Sequence, residues 1–232
     1  MTLKDDLEAE VDRLFRSPWA SRDGRVVPAD TDVGLGNDAV RLEDAVVLYA
    51  DMADSTKLVD EHPWEFAAEI YKAFLYCAAK IIKDEGGEIT AYDGDRIMSV
   101  FIGGSKNTSA ARAALKLNFC RIKIIAPLLQ KRYPSKTYEL KHVVGIDRSE
   151  LHAAKTGVRG ANDLVWVGRA ANYAAKLTTL PDDYPTWITE DVYNSLADSL
   201  KTTNGQSMWE ARSWTAMNNK RIYCSTWWWR VD

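Results

Sequence analysis

Apolar positions along the chain recur in two rhythms, and each rhythm predicts a different kind of element. Within residues 4–16, Leu7, Val11, Leu14 and Phe15 fall on one face at helical spacing, and the turn-forming stretch SRDGRVVPADTDVGLGND (21–38) follows. The pattern predicts an N-terminal helix and linker over 1–40, ahead of one catalytic-sized domain over 41–232. Val46–Ala50 is an unbroken apolar run of strand length. After Pro63, residues Ala67, Ile70, Tyr71, Phe74, Leu75, Ala78, Ile81 and Ile82 keep a 3.6-residue period up to Gly86-Gly87, which predicts a long helix. EITAYDGDRIMSVF places Asp93-Gly94 between two strand-like halves, a hairpin signal. A second long helix fits NTSAARAALKLNFCRIKIIAPLLQKRY, with Pro127 as a kink or early stop. Strands LKHVVGI and DLVWV, a helix through RAANYAAKL, a short strand TWIT, a helix from Glu190 and two Trp-rich strands complete the chain. This order predicts an α+β fold, a mostly antiparallel sheet with helices packed on one face.

Composition narrows what such a domain does. With 232 residues, 46% of them hydrophobic, the chain buries a full core. The start MTLKDDLEAEVDRLF is acidic where a signal peptide is basic, and no apolar run approaches the length of a membrane span, so the expectation is a cytoplasmic protein without membrane insertion. Three separated cysteines, Cys77, Cys120 and Cys224, suit neither a disulfide framework nor a zinc site. A net charge of −3 supplies no basic field for nucleic acid and points to a small molecule or another protein as partner.

The candidate chemistry sits at strand ends. Asp51 closes the Val46–Ala50 strand, and Asp95 leaves the Gly94 turn, where a hairpin end can bring it beside Asp51. Taken singly, such residues cap helices and serve turns. Two ionised carboxylates held close repel unless a cation lies between them, and Mg²⁺ or Mn²⁺ takes hard oxygen ligands of this kind.

Four stretches in order, ADMADST (50–56), YDGDRIMSVF (92–101), VGI (144–146) and WVGRAANYAAKL (166–177), resemble the class III nucleotidyl cyclases, over about residues 42–191. The resemblance implies a cyclase-like sandwich forming a homodimer with active sites at its interface, and two divalent ions, Mn²⁺ or Mg²⁺, on Asp51, Asp95 and the carbonyl of Met52. It also implies conversion of a nucleoside triphosphate to a 3′,5′-cyclic nucleotide and pyrophosphate. Asn172 stands where the family orients the ribose, and Lys176 where it has a transition-state Arg. Arg169, Asn172 and Lys176 share one helical face. The amides of Ala53, Asp54, Ser55 and Thr56, opening the next helix, are candidates for cradling phosphate, and Lys220 for clamping the triphosphate.

The purine-reading Lys and Asp of that family are replaced by Ala91 and Val165. The retained metal ligands and lost base readers resemble the pyrimidine cyclases of bacterial anti-phage Pycsar systems, whose product is sensed by a separate effector protein. The expected substrate is UTP, with CTP as the alternative. Tyr49, two residues before Asp51, together with Tyr92 and Arg96, is the candidate neighbour of the base, although Tyr49 reads first as a core aromatic and Arg96 equally as a solvent-facing group. A catalytically silent nucleotide-sensing or dimerisation module is the remaining alternative, although its expected signature, loss of a metal-binding Asp, is absent.

Overall fold

In the computed structural model, which describes residues 2–231, the longest strands carry the architecture. Helix α1 (Leu3–Arg16) and strand β1 (Ala20–Asp23) lead into β2 (Asp38–Met52). A short helix α2 (Ser55–Glu61) and the long α3 (Trp64–Asp84) follow, then the hairpin β3 (Glu88–Asp93) and β4 (Arg96–Phe101). Next come α4 (Lys106–Cys120), α5 (Ala126–Arg132), β5 (His142–Val158), β6 (Ala161–Val167) and α6 (Arg169–Leu177). The chain ends with β7 (Thr186–Thr189), α7 (Glu190–Asn194), the small hairpin β8 (Thr202–Thr203) and β9 (Gln206–Ser207), β10 (Glu210–Trp214) and β11 (Lys220–Ser225).

The main sheet runs β10-β11-β7-β5-β2-β4-β3, with β1 beside the start of β2 and β6 beside the end of β5. Its pairings are antiparallel except β1 with β2 and β5 with β7, so the expected α+β fold with a mostly antiparallel sheet is what forms. Alternation along β2 shows how the layers are made. Val46, Leu48, Ala50 and Met52 join the core under α3 and α4, whereas Ala45 and Val47 point the other way, against Ala170, Ala171 and Ala174 of α6. The helices therefore cover both faces, a correction to the one-face arrangement expected from sequence; on the second face α6 contributes Ala170, Ala171, Ala174 and Leu177.

Three further differences have local causes. Residues 17–40 are more than a linker: β1 joins the main sheet, Val33 is buried, and the 40/41 boundary falls inside β2. Pro127 does not stop the second long helix: the backbone stays helical from Lys106 to Arg132, and a π turn over Arg121–Ile125, immediately before Pro127, accommodates the proline inside it. LKHVVGI is the start of a 17-residue strand whose far end pairs with β6 in an arm carrying exposed Val158, Val165 and Val167. The apolar stripe of α1 is also exposed, although Asn37 Nδ2 ties the end of that helix to the core through the carbonyls of Leu14 (2.9 Å) and Ser17 (2.6 Å).

Gly145 sets the position of α6. A Cβ there would lie 2.1 Å from the carbonyl oxygen of Ala174 and 2.7 Å from Cβ of Leu177. Gly145→Ala is expected to push α6 away from β5 and cost about 3 kcal/mol, seen as a lower urea midpoint together with loss of activity. An unchanged midpoint would show that α6 shifts freely.

Candidate active site

The strongest concentration of unmet polar groups lies where β2 ends. Asp51 pairs in register with Arg96 across the β2–β4 ladder, and Arg96 Nη2 donates to Asp51 Oδ2 at 2.7 Å. Burial pushes the Asp51 carboxyl up, and the charge of Asp95 adds to this, while Arg96 and the Thr178 hydroxyl oppose it. Asp95 belongs to the two-residue turn Gly94-Asp95, which Gly94 makes possible with φ of +60°. Asp95 Oδ2 is buried and has no hydrogen-bond partner, and Arg96 Nε is in the same condition. Buried orphans of this kind are rare in a folded chain. An unmet carboxylate oxygen beside a second carboxylate, both hard donors, fits a divalent cation, so the residues present suit the metal that the sequence implied.

A cavity of about 330 Å³ opens beside this point, lined among others by Ala53, Asp54, Lys57, His62, Tyr138 and Lys141. The Tyr138 hydroxyl is buried and unpartnered, and burial, aided by Tyr71, Asp54 and Asp95, pushes its pKa up to about 12. Asp54 caps α2 in the left-handed region, φ 56°, and Ser55 and Thr56 form the first turn. Of the phosphate cradle expected for residues 53–56, the Ala53 N–H donates to the Lys141 carbonyl at 3.0 Å. Met52 buries its side chain in the core and offers only its backbone.

The second group of expected residues lies on α6. Asn172 and Lys176 are exposed, and among the described residues their side chains make no hydrogen bond or ion pair, with the carboxylates or with anything else. Arg169 is different. Its guanidinium donates to both oxygens of Asp147 (3.1 and 3.3 Å), to Asp191 (2.6 Å) and to the Arg148 carbonyl (2.7 Å), which holds the start of α6 to β5. That network engages Arg169 within the chain, at the position where a catalytic group is expected from sequence. Lys220 lies over the Tyr173 ring at 5.4 Å, in a cleft of about 200 Å³ that Arg221 also lines.

Around the base position, Tyr49 is half-buried with the Arg96 guanidinium 5.9 Å from its ring centre, whereas Tyr92 is 56% exposed. Ala91 packs near Tyr49 in the second core cluster, and Val165 sits on the arm. Sequence reasoning missed Tyr138 and Thr178. Neither lies in a recognisable motif; Tyr138 belongs to an irregular segment before β5, and Thr178 follows the last residue of α6.

Known proteins resemble the chain in sequence and in fold. The uridylate cyclase of Xanthomonas perforans is 55% identical over 233 residues, covering the whole of both chains, and the uridylate cyclase of Burkholderia cepacia is 53% identical over 232 residues, again covering both fully. The solved adenylyl cyclase CyaB from P. aeruginosa has the same fold, with TM-score 0.62 and 21% identity over 84% of this chain and 96% of that one. No family model matches.

Proposed function

The chain belongs to the uridylate cyclases, within the class III nucleotidyl cyclases, and on that premise we propose that it converts UTP to 3′,5′-cyclic UMP and pyrophosphate at sites shared between two copies of itself. The observation that carries the reading is the juxtaposition of Asp51 with Asp95, whose Oδ2 is unmet, beside a cavity at the start of α2.

Asp51, Asp95 and the Met52 carbonyl would hold two divalent ions, Mn²⁺ or Mg²⁺. Bound there, they would supply Lewis acidity that favours ionisation of the ribose 3′-hydroxyl and neutralises charge on the leaving pyrophosphate. Arg96 donates to Asp51 Oδ2 at 2.7 Å, and from that position its guanidinium would be within the same site as the bound nucleotide. The first-turn amides of α2 would be donors for the phosphates, since a helix leaves its first N–H groups without intrahelical acceptors. Asn172 of one copy orients the ribose bound at the carboxylates of the other. Lys176 offers a cation to the α-phosphoryl oxygens without the planar fork of Arg. Lys220 clamps the triphosphate from the same side as Asn172.

Specificity follows from what surrounds the base. Ala91 and Val165 offer no hydrogen-bonding group to a purine edge, while the unpartnered Arg96 Nε is a donor suited to a pyrimidine carbonyl, with Tyr49 as its flat neighbour. The enzyme is expected to prefer UTP, then CTP, over ATP and GTP by at least about tenfold, or 1.4 kcal/mol, when products from the four triphosphates with Mn²⁺ are separated chromatographically. A preference for ATP or GTP would overturn this assignment. In the cell the cyclic UMP acts as a second messenger in anti-phage defence and is sensed by a separate effector. Among the described residues no helix is long and apolar enough to cross a membrane, which is compatible with a cytoplasmic site of synthesis.

A further inference from the structure

At the start of α6 a charged network centres on Asp147, a carboxylate on β5 with no exposed surface. Its Oδ1 accepts from the Thr189 hydroxyl at 2.6 Å and from Arg169 Nη2 at 3.3 Å, and its Oδ2 accepts from Arg169 Nε at 3.1 Å. Both oxygens are therefore engaged. Burial pushes the carboxyl up, while Thr189, the Arg148 N–H and Arg169 oppose this. Replacing a buried ion pair by apolar residues of similar volume is often neutral or stabilising, so stability alone does not account for this one.

Helix α6 needs a directional hold. The residues it buries are Ala170, Ala171, Ala174 and Leu177, and the alanines present a smooth face with little to interlock. Gly145 lets that face come close to β5 without setting how the helix is turned about its axis. Gly168, at the N-cap, supplies no side-chain cap. Polar ties stand in for these: the Ala170 N–H donates to Ser149 Oγ at 2.9 Å, and Arg169 reaches Asp147, Asp191 and the Arg148 carbonyl. The Asp191 side chain is 56% exposed and that of Asp147 is fully buried, so Asp147 is the anchor for which water does not compete. Asn172 and Lys176 continue the helical face that Arg169 begins, so the rotation fixed at Arg169 is the rotation at which both meet a ligand.

We propose that Asp147 is a positioning residue for the cyclase reaction: acting through Arg169, it fixes the rotation of α6 so that Asn172 and Lys176 present to the nucleotide held by the carboxylates of the second copy. The inference rests on the shared-site reading above, and it gives a task to a buried carboxylate that touches no substrate.

Asp147→Asn keeps the volume and the Thr189 contact but weakens the hold on Arg169. The full-length variant should melt near the wild-type temperature. Its kcat with UTP and Mn²⁺ should fall about tenfold or more with KM little changed, because misplacing groups that act at the transition state by about 1 Å costs up to roughly two orders of magnitude. Mixed with Asp51→Ala it should return about a quarter of wild-type activity, and mixed with Asn172→Ala no more than it shows alone. A lesion that merely loosened the chain would spoil the carboxylates of its own copy as well, and neither mixture would recover. Amide exchange over 169–177 should quicken, while exchange over β2 and β4 stays as in the wild type. Arg169→Gln, which removes the other half of the pair, should show the same mixing pattern and serves where Asp147→Asn fails to fold. The proposal is overturned by unchanged kcat, by unchanged exchange over α6, or by failure of both mixtures when Asp51→Ala with Asn172→Ala recovers. If the wild type converts no triphosphate, or that reference mixture recovers nothing, the cyclase or the shared-site reading has failed, while exchange over α6 still decides whether Asp147 positions the helix.

Discussion

Asp95→Ala is expected to lower conversion of UTP by about three orders of magnitude or more, a loss of about 4 kcal/mol in transition-state binding, with no loss of fold stability. The two effects separate because of the bonding at the turn. Asp95 Oδ2 has no partner among the described residues, so removing it breaks no hydrogen bond seen there, and the repulsion it exerts on Asp51 disappears with it. Asp51→Ala should be equally inactive but slightly less stable, by about 1 kcal/mol, because Arg96 then loses its 2.7 Å partner at a site still partly open to water. The measurements are product formation with Mn²⁺ and thermal unfolding of each variant. Appreciable turnover by either variant, or by the wild type in excess EDTA, would remove metal from the mechanism.

Mixing two inactive variants should restore activity. Asp51→Ala and Asn172→Ala homodimers are each expected to be nearly inactive, since every site in them lacks one required group. In a C2 dimer whose sites take their carboxylates from one copy and their α6 face from the other, a mixed dimer gathers both lesions into one site and leaves the second intact. Random exchange makes about half of the dimers mixed, so equal amounts should recover about a quarter of wild-type activity. The side chains of Asn172 and Lys176 motivate this expectation, because among the described residues of one copy nothing bonds to them. If exchange is verified by native mass spectrometry and no activity returns, each site is complete within one chain.

The sequence made the sheet and both long helices legible, because their apolar periods are sustained and their ends are marked by Gly and Pro. The strand-end position of Asp51 and the turn position of Asp95 were legible for the same reason. The face on which α6 packs was not. It depends on the close approach at Gly145, and no local pattern encodes an approach between residues so far apart in the chain. The tie between Arg96 and Asp51 was similarly hidden, because it follows from the β2–β4 register rather than from either segment alone. Arg169 looked like a member of a functional face. Its engagement by Asp147 and Asp191 emerged only once β5 and the start of α7 were in place. Tyr138 was invisible for a simpler reason, since irregular segments have no period to read.

The β3–β4 turn carries Asp95, and the next residue, Arg96, neutralises Asp51. Adjacent positions of one hairpin end thus set an anion and a counter-cation against Asp51, so a one-residue slip of the β2–β4 register would exchange the sign of the charge that Asp51 faces.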